Sequence, residues 1–80
     1  MKINIKMFGA LRAAGDSRQV EVRPDISVAQ LKESIAAQMP EIDRGLIADC
    51  VLATENEILP EAYILRDVQE LSLLPPVCGG

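Results

Sequence analysis

The chain closes on Pro75-Pro76-Val77-Cys78-Gly79-Gly80, and the residue types that could do chemistry concentrate there. Glycine has no Cβ, so Gly79 and Gly80 can thread a narrow channel, take backbone angles closed to other residues and admit a second protein close to the last carbonyl. The reactive group is then the carboxylate of Gly80. A carboxylate is a poor acyl donor until ATP converts it to an acyl-adenylate, after which a thiol or persulfide can displace AMP to give a thioester or a thiocarboxylate. This chain lacks a Gly-rich phosphate loop with its lysine, so ATP would be used by a separate activating protein, and no cofactor is expected to stay bound here. Two prolines cannot donate to a sheet ladder and favour an extended segment, so the five residues from Pro76 to Gly80 reach at most ~16–18 Å. A frayed, idle terminus is the competing reading. The Pro-Pro step directly ahead of Gly-Gly weighs against it.

Other reactive side chains carry less. Cys78 has no histidine to activate it anywhere in the chain, and reads as a small spacer that happens to hold a thiol. Cys50 lies in an apolar run, where a free cysteine behaves as a small hydrophobe. Arg12 could anchor a carboxylate or phosphate but, isolated in a connection, reads as a surface residue. Glu41 and Asp43 could be paired acids, yet they sit in a polar stretch without aromatics to wall a pocket, and are expected at the surface.

Eighty residues permit one small domain, with no room for a second core or a large self-contained cleft. With 49% hydrophobic and 25% charged residues the composition is that of a globular chain, and Phe8 and Tyr63 are its only aromatics, so the core is expected to be aliphatic. Acidic residues are spread from Asp16 to Glu70 under a formal net charge of -4, with no cluster of Lys and Arg, which argues against a nucleic-acid partner and suits docking on a basic protein. No stretch approaches the ~20 apolar residues of a membrane span, and the start of the chain lacks a signal-peptide core, so a cytoplasmic protein is expected. Two cysteines and no histidine leave neither a disulfide framework nor the usual metal sets.

The elements that must position this ending follow from periodicity. Lys2 to Phe8 alternates with Ile3, Ile5 and Met7 on one face, a half-buried strand. A short connection from Gly9 to Asp16, with a helical turn through Ala10–Ala13, leads to a second alternating run, Gln19 to Arg23, expected to pair with the first as a hairpin. Ser27 and Gln30 have capping-box spacing, Ile26 and Leu31 sit at staple positions, and Val28, Leu31, Ile35 and Met39 form one helical stripe that Pro40 ends. Ile47 to Ala53 reads as a buried strand, Glu55-Asn56-Glu57 as a turn, and Ile58 to Leu65, interrupted by Pro60, as a short edge strand or loop. Leu71 to Leu74 is the last strand, stopped by Pro75 and Pro76. One of Leu73 and Leu74 must face away from the helix, where a partner would grip it. This order predicts an α+β fold of the ubiquitin-like β-grasp type: a mixed sheet of four to five strands with one principal helix on one face, a domain over residues 1–76 and a flexible tail over 77–80.

The sequence resembles the small, sulfur-carrying subunits of molybdopterin synthases over nearly its whole length. Met7-Phe8-Gly9-Ala10-Leu11-Arg12-Ala13-Ala14-Gly15 is similar to the family's Phe-Ala-x-x-Arg-Glu-x-x-Gly stretch, and Pro75-Pro76-Val77-x-Gly79-Gly80 matches its diagnostic ending. It departs from the family in having Val68-Gln69 where a Gly-Asp turn is common, and Cys78 where Ser, Thr or Ala is usual. The resemblance implies that Gly80, reached through Gly79, is adenylated by a ubiquitin-activating-like adenylyltransferase. It further implies that sulfur from a sulfurtransferase or cysteine desulfurase makes a thiocarboxylate, which the large catalytic subunit uses on cyclic pyranopterin monophosphate in a heterotetramer. Leu73, Leu74, Pro75, Pro76, Val77 and Cys78 are the implied partner-binding residues. Sulfur carriers of the thiamine pathway share the fold and the Gly-Gly but generally lack Pro-Pro, and a ubiquitin-like modifier acting through Gly80 is the other alternative.

Overall fold

The computed structural model describes residues 1–76. β1 (Lys2–Met7) runs through a 3₁₀ turn (Gly9–Ala14) into β2 (Ser17–Glu21), followed by α1 (Val28–Gln38), α2 (Arg44–Asp49), β3 (Val51–Ala53), β4 (Ile58–Leu59) and β5 (Glu70–Leu74). Among the described residues the strands form one sheet in the order β2-β1-β5-β3-β4, with β5 parallel to β1 and the other neighbours antiparallel. A mixed sheet of five strands with a helix across one face is the β-grasp architecture that the periodicities predict.

Local chemistry builds each piece. Ile3, Ile5 and Met7 face inward with Val20, Leu71 and Leu73, all at most 3% exposed, so the first hairpin and the last strand share one apolar layer. The capping box at the start of α1 is complete: the Gln30 N–H donates to Ser27 Oγ at 3.1 Å and the Ser27 N–H donates to Gln30 Oε1 at 2.9 Å. Val28, Leu31 and Ile35 then press onto the sheet, with Met39 closing the stripe before Pro40. Gln38 reaches past the helix end to the outer edge of β2, where its carboxamide donates to the Glu21 carbonyl at 3.0 Å and accepts from the Glu21 N–H at 3.3 Å.

One expected element is different. The run Ile47 to Ala53 is not a single strand: Arg44–Asp49 is helical and only Val51–Ala53 pairs in the sheet. Asp43 caps this second helix, its carboxylate accepting from the Leu46 N–H at 3.0 Å, and Ile47 and Cys50, three apart, are both buried, whereas Asp49 between them is exposed. Three-residue spacing with a polar interruption suits a helical face and would put a charge into a buried strand. The connection to β5 also needs a left-handed position, and Asp67 supplies it at φ 52, where the resembled family commonly has Gly-Asp one step later. Glu55 to Glu57 turns between β3 and β4, and β4 is a two-residue edge strand, after which Ile64 forms a single bridge with Ser27.

Candidate functional site

β5 is the central strand of the sheet, so Pro75 and Pro76 leave the domain from its middle and not from an edge. Leu73 is opposite Met7 in β1 and Leu52 in β3 and is fully buried; Leu74 is opposite Val51 and half-buried on the outer face. Of the two leucines, Leu74 is therefore the one that a partner can reach, and Leu73 belongs to the core.

Leu74 has apolar company. Phe8 keeps extended angles (φ -131, ψ 155) and continues the outward side of β1, where it is 41% exposed. Val51 at 38% and Ile58 at 62% exposed lie on the same outer face across β3 and β4. Phe8, Leu74 and Val51 form an apolar row at the base of the Pro-Pro step, with Ile58 farther out on the edge strand. Farther along the same face the surface turns polar: Lys6 pairs with Glu70 at 3.3 Å, and the Asn4 amide donates to the same carboxylate at 3.2 Å. Phe8, Val51 and Ile58 were not singled out from sequence, although the alternation of β1 already places Phe8 on the side of Lys2, Asn4 and Lys6.

The side chains weighed as chemistry take structural roles. Glu41 accepts from Arg18 at 2.7 Å, and that bond, together with its own backbone hydrogen bond, holds its carboxyl below the ordinary value. Asp43 caps α2, and Arg12 pairs on the surface with Asp16 at 3.2 Å. Cys50 is a buried free thiol donating to the Leu46 carbonyl at 3.1 Å, and burial pushes its pKa up, away from the thiolate form that a nucleophile needs. The buried lysine, Lys32, donates to the Ala48 carbonyl at 2.7 Å and lies 3.5 Å from Glu61, which ties α1 to the end of α2. Val77, Cys78, Gly79 and Gly80 lie outside the described residues. Among the described residues, no helix is long and apolar enough to cross a membrane, and no three of His, Cys, Asp and Glu are grouped to hold a metal ion.

With this geometry in place, comparisons with known proteins place the chain. The model of the ThiS family matches residues 5–80. A molybdopterin synthase sulfur carrier subunit of Mycobacterium tuberculosis is 30% identical over 83 residues, a match covering 100% of this chain and 99% of that one. The crystal structure of SAMP1 from Haloferax volcanii superposes with a TM-score of 0.78 at 19% identity, each chain covered completely. A chain from Pyrococcus furiosus assigned to subunit 1 of a molybdopterin converting factor gives 0.70 at 23% identity, covering 96% of this chain and 99% of that one. At these identities the two structural likenesses establish the fold alone.

Proposed function

The chain belongs to the ThiS family, a sulfur carrier by type, and from that premise we propose that it supplies sulfur for molybdopterin synthesis through the carboxylate of Gly80. The observation that carries the reading is the exit at Pro75 and Pro76 from the centre of the sheet, beside the outward Leu74 and Phe8, at the end of a sequence that closes on Gly79-Gly80. The 30% identity to a molybdopterin synthase sulfur carrier subunit supports this pathway over the thiamine one.

In the proposed cycle an adenylyltransferase joins the Gly80 carboxylate to the α-phosphorus of ATP and releases pyrophosphate. The terminal sulfur of a persulfide on a sulfurtransferase or cysteine desulfurase attacks the acyl carbon and AMP leaves; a second thiol then cleaves the acyl disulfide, forming a disulfide with the donor cysteine and leaving the thiocarboxylate. The large catalytic subunit then receives the apolar row and the tail, and sulfur passes to cyclic pyranopterin monophosphate. Gly79 contributes by having no side chain, since a Cβ there adds bulk and narrows the backbone angles available inside a channel.

Intact-mass analysis of the protein from its native cell tests the chemistry. The expected result is replacement of one carboxylate oxygen by sulfur; covalent attachment to lysines of other proteins would instead make it a modifier. In reconstitution with the adenylyltransferase, a sulfur source and the large subunit, adding one residue after Gly80 or making Gly79→Val abolishes product. Cys78→Ser stays close to wild type. The opposite pattern would replace the carboxylate mechanism with a thiol one.

A further inference from the structure

The parallel pairing of β1 and β5 ends at Met7 and Leu73. Carried two steps beyond Met7 and Leu73, the register sets Gly9 beside Pro75. Gly9 takes a left-handed φ of +58, and a Cβ built on it stands 3.0 Å from Pro75 Cγ and 3.9 Å from Pro75 Cδ. The proline ring occupies the space that a side chain at position 9 would need. Inside the ring φ is fixed near about -65°.

We propose that Gly9 is a positioning residue for the C-terminal segment: by leaving room for the Pro75 ring it sets the direction in which Pro75-Pro76 leave the sheet toward an activating enzyme. The kinetic consequence rests on the carrier reading above, whereas the contact between Gly9 and Pro75 does not. Gly15 separates this role from an ordinary glycine turn. It also has a positive φ, +117, but its nearest neighbours for a Cβ are the Ser17 carbonyl oxygen and Arg18 Cδ at 3.8 and 3.9 Å, and it touches nothing on β5. Gly15→Ala therefore carries backbone strain without disturbing the proline.

Two measurements test the assignment. On the isolated protein, Gly9→Ala lowers the melting temperature by roughly 5–15 °C, because alanine is strained at positive φ and meets the ring. Removing the ring relieves the second part, so the Gly9→Ala/Pro75→Ala double variant melts higher than the sum of the two single losses implies. Strictly additive losses would overturn the contact. With the adenylyltransferase, pyrophosphate exchange below the melting point shows Gly9→Ala losing about tenfold or more in kcat, with KM within about twofold, because docking survives while the carboxylate is misdirected. Gly15→Ala, equally or more destabilised, keeps the wild-type kcat. Gly9→Asn, which tolerates left-handed angles but carries a Cβ, keeps the fold and shows the same kcat loss. Wild-type kcat in both Gly9 variants would overturn the positioning role. Should wild type fail to exchange pyrophosphate at all, the carrier chemistry falls, and the thermal coupling alone still decides whether Gly9 seats Pro75.

Discussion

At the scale of single residues the titrating side chains of the domain hold the fold. Glu41 illustrates this. Its carboxyl is held below the ordinary value of 4.5 chiefly by the Arg18 hydrogen bond, and a lowered folded-state pKa means that its contribution is present above pH 4.5 and is lost as pH falls through the lower value. Glu41→Gln should melt slightly below wild type near neutral pH, and the two curves should converge in acid; a difference that persists once the carboxyl is protonated would count against the ion pair as its source. The effect is small because both side chains are solvent-accessible and screened. Cys50, raised by burial, is silent chemistry of the same structural kind.

Elements decide which face is core and which is offered to a partner. Ser27 closes α1 through both halves of its capping box, and Ser27→Ala should cost about 1 kcal/mol in a denaturant titration while leaving activation by the adenylyltransferase unchanged. Within β5 two adjacent leucines behave oppositely. Leu73, fully buried between Met7 and Leu52, should lose ~2–5 kcal/mol on truncation to alanine. Leu74→Asp, on the outer face beside Phe8 and Val51, should leave the melting temperature within a few degrees of wild type and raise KM for the adenylyltransferase at least about tenfold, the pattern of a docking residue. If Leu74→Asp unfolds the domain or leaves KM untouched, the apolar row is not the docking surface.

For the whole molecule, the apolar core among the described residues runs from Ile3 to Leu73. Deleting residues 77–80 should therefore leave thermal melting unchanged while abolishing every step that needs Gly80. A drop of more than a few degrees would mean that the ending contributes to the fold. Small domains have little stability to spare, so a tail outside the core would let the end vary without loss of the fold.

The sequence by itself determined most of this. Strict alternation in Lys2 to Met7, the Ser27 cap with its stripe, and Pro75-Pro76 ahead of Gly-Gly are local signals, each set by a periodicity or a ring, and they suffice for the fold class and the family. Ile47 to Ala53 was misleading because its richness in Ile, Val and Leu outweighed the spacing of Ile47 and Cys50 around Asp49, which the helical turn then satisfies. The choice between Leu73 and Leu74, the placement of Phe8, Val51, Leu74 and Ile58 on one outer face, and the space Gly9 leaves for Pro75 belong to tertiary structure alone. Strand order and register between residues more than sixty positions apart bring them together, and no local pattern encodes that pairing.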